Sequence, residues 1–437
     1  MRSFSRILAS HAEENPNKEV IVYGSRRITF AEFNQEAHAF AAALRKKGVG
    51  KGDRVALLLY NCPEFLIAAF VINRLGAAFV PINYRLAPDE VKFVLEDSGA
   101  MVLITEQELR RIVVPIVGEV RNLKALVTLD EPEEPGWSNY REMVDAHRAD
   151  KVADAAVSAD DLHRIVYTSG TTARPKGVML TYGNLYSKNH AHAEVLSLTH
   201  EDRVLVAGPL YHVGGMDLPL TGVLELGGTG VVLRKFDVVA CLDAVEKERV
   251  TLVWLAPTMM NMILNYPAVK SFNFNSLRLI IDGGEKMPED RIHKILDVFP
   301  GVWFADAYGL TETVSGDTFL EKDKMFTKIG SVGKPVPNLE LRVVDEKGRQ
   351  LAADQPGEII LRGPKIFKGY WNNPEATQAA IKDGWFYTGD TGYLDADGSL
   401  YVVDRKKDMI KSGGENIASV EIERVLYQHT KLSLIHI

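Results

Sequence analysis

The chain has little of several things, and each shortage excludes a class of protein. Its 437 residues contain only two cysteines, Cys62 and Cys241, too few for a disulfide framework and without the spacing of metal ligands. Both are expected to be buried packing residues. No apolar run approaches the ~18 residues that cross a bilayer, so no integral membrane segment is expected. The N-terminus reaches His11 and Glu13 without the apolar core of a signal peptide, and a cytoplasmic location follows as the expectation. Net positive charge is missing too. A formal charge of -7 argues against a nucleic-acid partner, because phosphate backbones select clustered cations. The basic run Arg45-Lys-Lys47 reads as the solvated end of a helix. No internal repeat or low-complexity tract occurs. Homodimerisation and peripheral membrane association stay open.

What is present is the composition of a soluble globular protein, 46% hydrophobic and 25% charged, with length for roughly three lobes. From Ile28 onward, strand and helix patterns alternate. Phe33, Ala37, Phe40, Ala41 and Leu44 share one helical face, and Gly48 stands where a left-handed cap would end that helix. Apolar strands over residues 55–60, 78–82 and 101–104 are separated by helices beginning near Pro63 and Pro88. This pattern predicts a doubly wound α/β fold. Residues 130–158 have the composition of a linker or surface segment. Short strands at about 339–344 and 358–362 predict a small antiparallel β-barrel after Gly330. The expected large unit, residues 1–403, therefore divides at about 1–157, 158–329 and 330–403.

The chemistry starts at Tyr167-Thr-Ser-Gly-Thr-Thr-Ala-Arg-Pro-Lys-Gly177, directly after an apolar strand. Thr168, Ser169, Thr171 and Thr172 supply hydroxyls, Gly170 lets backbone N–H groups approach a polyanion, and Arg174 and Lys176 supply positive charge. It reads as a phosphate cradle. It is not a Walker A loop, since Pro175 precedes the lysine and a β-rich run follows. A second block is Asp306-Ala307-Tyr308-Gly309-Leu-Thr311-Glu312. Tyr308 offers a flat face for adenine, Gly309 a close backbone approach, Thr311 a donor to phosphate, and Glu312 a hard oxygen ligand for Mg²⁺. Asp390, in Trp385-Phe-Tyr-Thr-Gly-Asp390, can accept hydrogen bonds from both hydroxyls of a ribose.

Together these strings resemble the adenylate-forming (AMP-binding) superfamily, which includes acyl- and aryl-CoA synthetases and amino-acid adenylation domains. The resemblance runs from about Ile28 to His429. It implies a large N-terminal domain of two doubly wound α/β subdomains plus a small β-barrel, followed by the start of a small C-terminal α+β domain over residues 404–437. It implies ATP, Mg²⁺ and CoA as cofactors and a small carboxylic acid as substrate, fatty or aromatic. It further implies that Gly283, Gly284 and Glu285 run along the adenine and acyl pocket, and that Thr171 joins Glu312 on the metal. Lys176, Thr311 and Glu312 are the implied catalytic groups. In Tyr211-His-Val-Gly-Gly215, His212 would gate the carboxylate pocket, with Gly214 and Gly215 leaving an open tunnel. His212 needs no general-base role, because an ionised carboxylate is already a nucleophile. In the Asp404 to Ile417 segment, Arg405 would touch the ribose and Lys407 would sit at a hinge. There Lys411, Ser412, Gly413 and Gly414 would guide CoA in the second half-reaction.

The chain also departs from that pattern. Ala173 stands where the family usually has glycine, in a loop that must move as pyrophosphate leaves. An amino-acid adenylation domain would present an acid just after the aromatic of the His212 segment. Val213 stands there, with Asp217 nearby. The family's late Ser-Gly-Lys segment, whose lysine clamps the carboxylate and α-phosphate, has no counterpart after Lys411. Leu432-Ser-Leu-Ile-His-Ile437 back-translates to the end of a sequencing-library transposon adapter, so a truncated frame is expected. Three readings follow: an AMP-forming acid:CoA ligase, a nucleotide- and acyl-adenylate-binding fragment with little turnover, or, ranked below both, an amino-acid adenylation domain.

Overall fold

The computed structural model describes residues 3–168, 174–284, 287, 289–405, 409–412 and 415–418. Two large sheets carry most of the core. The first has eight strands, in the order Gly369–Tyr370, Lys176–Thr181, Leu162–Thr168, Ala78–Pro81, Arg54–Leu58, Val102–Thr105, Ala125–Thr128 and Trp137–Asn139. From Leu162–Thr168 to the Trp137–Asn139 edge the pairs are parallel. The two strands at the other edge run antiparallel. The second sheet has nine strands, with Trp303–Tyr308, Leu279–Gly283, Leu252–Leu255, Arg203–Val206, Thr229–Val232 and Glu19–Tyr23 adjacent in that order and parallel. Its edges are antiparallel.

Local sequence explains the elements. Helix Phe30–Lys46 starts on a capping box in which the Thr29 hydroxyl accepts from Glu32 N–H and the Glu32 carboxylate accepts from Thr29 N–H. It ends where Gly48 turns left-handed at φ +87°. Its expected apolar face is buried throughout. Helix Pro63–Arg74 places proline in its first turn, and Gly76 follows its end at φ +71°. Cys62 and Cys241 are buried and unpaired. No described helix is long and apolar enough to cross a membrane.

Several features differ from the sequence reading. The sheets interleave along the chain. The hairpin Leu162–Thr168 and Lys176–Thr181, expected to open the second lobe, completes the first sheet, while Glu19–Tyr23 from the N-terminus joins the second. Residues 130–158 are not a plain linker. Trp137–Asn139 forms the sheet edge and helix Tyr140–Asp145 follows, with the buried Tyr140 hydroxyl donating to Glu36 at 2.8 Å. Their polar composition reflects an edge position rather than an absence of structure. An earlier helix, Phe4–Glu14, precedes the first one expected. After residue 330, the strands Glu340–Val344, Gly357–Arg362, Trp385–Leu394 and Ile381–Lys382 form an open antiparallel path, with Leu400–Arg405 added to Trp385–Leu394. No pair among the described residues closes that path into the expected barrel.

Candidate active site

Open parallel sheets bind ligands beyond the carboxyl ends of their strands. Thr168, Gly283 and Tyr308 are each the last residue of such a strand. Thr168 pairs with Lys176 where the two antiparallel strands end. Ser169, Gly170, Thr171, Thr172 and Ala173 lie outside the described residues. Arg174 sits over the ring of Phe93, 5.5 Å from its centroid. The Lys176 ammonium lies 4.6 Å from the ring centroid of Tyr370.

Across the site, Glu312 stands in the turn Thr311–Thr313. One carboxylate oxygen accepts from the Tyr370 hydroxyl at 2.8 Å, and its backbone carbonyl accepts from Phe367 N–H at 2.7 Å. Burial, then the Glu312 charge, hold the Tyr370 phenol well above its ordinary pKa, so it stays a donor. Among the described residues no three acidic, histidine or cysteine side chains cluster as a self-sufficient metal cage. A single carboxylate fits Mg²⁺, which commonly takes one or two protein carboxylates and completes its shell with phosphates and water.

Asp306 and Ala307 are buried on strand Trp303–Tyr308, and Gly283 pairs with Ala307. A Cβ on Gly283 would meet the Ala307 carbonyl oxygen at 2.8 Å, and Gly284 is left-handed at φ +102°. Glu285 lies outside the described residues. The Tyr308 hydroxyl donates to Asp390 at 2.8 Å, and Asp390 is the register partner of Arg405. The aromatic and ribose candidates, far apart in sequence, therefore meet. Burial, followed by the Asp390 charge, raises the Tyr308 pKa strongly.

A Cβ on Gly309 would lie 2.4 Å from the backbone nitrogen of Gly316, so the glycine admits a neighbouring loop. That loop is strained at Val314 and Ser315, left-handed at φ +57° and +66°, while Gly316 takes φ +57° without a Cβ penalty. Buried Lys365 holds it, donating to the Ser315 carbonyl at 2.8 Å and the Gly316 carbonyl at 2.5 Å while its ammonium pairs with Asp317 at 2.8 Å. Asp317 also accepts from the Thr313 hydroxyl at 2.6 Å. The clamp thereby shapes the turn that carries Thr311 and Glu312.

His212 caps the short helix Val213–Asp217, its Nδ1 accepting from Gly214 N–H at 3.0 Å. Its ring lies nearly parallel to that of Trp254, centroids 6.2 Å apart. Gly214 and Gly215 are closely packed in the Cβ direction. A Cβ on Gly214 would meet the Trp254 indole at 2.6 Å, and one on Gly215 would meet the Pro209 carbonyl oxygen at 2.2 Å. These glycines admit packing. Asp217 is fully buried and accepts from Arg164 at 2.5 Å, with Lys188 4.0 Å away. It is committed to the core and unavailable to a substrate amine.

Lys407, Gly413 and Gly414 lie outside the described residues. Lys411 and Ser412 end the strand Met409–Ser412, which pairs antiparallel with Glu415–Ala418 so that Ser412 opposes Glu415. Sequence reasoning missed Tyr370, Lys365 and Trp254. Each acts through partners remote in sequence, and only the Gly-Tyr-Trp run of residues 369–371, a glycine before two large aromatics, hinted at a tight junction.

Known proteins resemble the chain along most of its length. The family description "AMP-binding enzyme" matches residues 8–371. The chain is 38% identical over 418 residues to a feruloyl-CoA synthase of an Amycolatopsis species, covering 95% of this chain and 81% of that protein. It is 37% identical over 430 residues to a 2-succinylbenzoate–CoA ligase of Bacillus velezensis, covering 97% of this chain and 82% of the relative. A crystal structure of an anthranilate CoA ligase in complex with anthranoyl-AMP superposes with a TM-score of 0.87 at 27% identity, over 98% of this chain and 82% of the other. A family match over residues 8–371, with relatives this similar over most of their length, means that the chain belongs to the AMP-binding enzyme family, among its acid:CoA ligases.

Proposed function

We propose that the protein activates an aromatic carboxylic acid. The substrate carboxylate attacks the α-phosphorus of ATP, pyrophosphate leaves, and the thiol of CoA then displaces AMP from the acyl-adenylate to give the thioester. A carboxylate is a poor electrophile, and the adenylate gives it a good leaving group. The work of the protein is positioning and charge stabilisation. Lys176, with Ser169, Thr171 and Thr172, would steady the phosphates. Thr311 would donate to the α-phosphate, and Tyr308, Asp390 and Arg405 would hold the nucleoside. Glu312 and Thr171 would hold Mg²⁺, which when bound neutralises phosphate charge. Lys411 and Ser412 would attend CoA entry, with Lys407 as the hinge. His212, stacked on Trp254, would form the lip of the acid pocket.

The observation that carries this reading is the line Lys176, Tyr370, Glu312, in which one aromatic side chain has a cation over its ring and a carboxylate, suited to hold Mg²⁺, on its hydroxyl. The aromatic preference rests on the flat His212–Trp254 pair and on relatives named for feruloyl, 2-succinylbenzoate and anthranilate chemistry. A cytoplasmic site of action belongs to the same reading. The test is acid-dependent AMP and pyrophosphate release with Mg·ATP and CoA over a panel of ferulate, 2-succinylbenzoate, anthranilate and fatty acids. Turnover confined to the aromatic acids supports the proposal. Preference for fatty acids would move the protein to lipid metabolism, and amino-acid turnover alone would overturn the ligase reading.

A further inference from the structure

The segment from Phe367 to Trp371 crosses the site as a strap. Gly369–Tyr370 pairs antiparallel with Val178 and Met179 of the phosphate hairpin. Lys368 N–H donates to the Met179 carbonyl at 3.0 Å and Trp371 N–H to the Gly177 carbonyl at 2.7 Å. From the same strap, Phe367 N–H and the Tyr370 hydroxyl both donate to Glu312, to its carbonyl and its carboxylate. Tyr370 is buried, and its ring stacks edge-on against Phe367, centroids 4.9 Å apart. Five consecutive residues therefore join the phosphate hairpin to the turn bearing the metal-binding carboxylate.

We propose that Tyr370 is a positioning residue for the metal–nucleotide complex: its hydroxyl fixes the rotation of the Glu312 carboxylate while its ring face seats the Lys176 ammonium. The inference rests on the proposed function, since it deepens the roles of Glu312 and Lys176. A carboxylate on a freely turning side chain pays rotamer entropy each time it engages a cation. One held by a charge-assisted hydrogen bond has paid already. Likewise an ammonium held over an aromatic face is aimed before the phosphates arrive. One side chain therefore prepares both halves of the charge field that a nucleotide triphosphate meets.

The two functions separate by substitution. Tyr370→Phe keeps the ring and drops the hydroxyl, whereas Tyr370→Leu drops both. The measurement is Mn²⁺ binding by electron paramagnetic resonance in the presence of ATP, with calorimetric ATP binding in EDTA alongside, on the full 437-residue chain. For Tyr370→Phe the Mn²⁺ midpoint should rise about tenfold, the loss expected of one hydrogen bond to a charged group, while metal-free ATP binding stays at the wild-type value. Tyr370→Leu should in addition weaken metal-free binding about threefold. In a Glu312→Gln background the Phe substitution should produce no further rise.

A merely structural role predicts something else: a lowered melting temperature with metal-dependent and metal-free binding weakened alike, in either background. That result, or a Tyr370→Phe curve that overlays the wild type, overturns the proposal while wild-type Mn·ATP binding leaves the proposed function standing. Absence of Mn·ATP binding by the wild type removes both.

Discussion

Replacing Lys365 by methionine should be among the most damaging single changes away from the substrates. The ammonium is buried, 2.8 Å from the fully buried Asp317, and caps the carbonyls of Ser315 and Gly316. Burial lowers the Lys365 pKa and raises that of Asp317, and the opposite charge of the partner works against both shifts. Each charge therefore persists only beside the other. Methionine preserves most of the volume but leaves Asp317 with the Thr313 hydroxyl as its remaining charge-stabilising side-chain partner, and the Ser315 carbonyl loses its donor. Gly316 O keeps His192 at 2.9 Å. Breaking a buried pair from one side costs about 3–5 kcal/mol, and the released loop holds left-handed Val314 and Ser315, a strain of about 1–3 kcal/mol each that the clamp helps to maintain. The expected result is a fall in urea stability of about 3–5 kcal/mol, together with weakened nucleotide binding, because the relaxed loop presses on Gly309. Replacing both partners, Lys365→Met with Asp317→Leu, should restore most of the stability. A loss below about 1 kcal/mol for the single variant, or no recovery in the double, would refute the reasoning.

Acid should weaken the fold through two buried imidazoles. Burial first, then the neighbouring charges of Arg164 and Lys188 in turn, hold His163 and His192 well below their ordinary value of 6.5. Folded pKa values below the unfolded one mean that stability is complete above pH ~6.5 and falls as pH drops, by roughly 1.4 kcal/mol per unit for each histidine. His192→Gln should flatten the slope of unfolding free energy between pH 6.5 and 5, and an unchanged slope contradicts the assignment. Gly214→Ala drives a methyl into the Trp254 indole and should cost about 1–3 kcal/mol while changing which acids are turned over. An unaltered acid profile at unaltered stability would show that the indole does not border the pocket. Asp217→Ala strands the buried Arg164 guanidinium and should cost about 3–5 kcal/mol without affecting substrate choice. A stable Asp217→Ala protein with altered acid selection would return Asp217 to the site.

Much of the local architecture was legible from residue pattern. The Thr29–Glu32 box, Pro63 at a helix start and the left-handed Gly48 and Gly76 act over four residues or fewer, where steric and hydrogen-bond rules operate without tertiary help. The Thr168 to Lys176 run, the Tyr308 and Glu312 block and Asp390 stood out in the sequence because their residue types suggest nucleotide chemistry. The sequence by itself determined the alternation of strand and helix, the kinds of group brought to the sheet ends, and the family. Tertiary structure decided which of those groups meet. It paired Tyr308 with Asp390 across 82 residues and Glu312 with Tyr370 across 58, it set the Trp254 indole against Gly214, and it committed Asp217 to Arg164. A glycine in sequence signals only that a Cβ is unwelcome. Whether a ligand, a loop or an indole takes its place is set by packing between segments that no local rule connects.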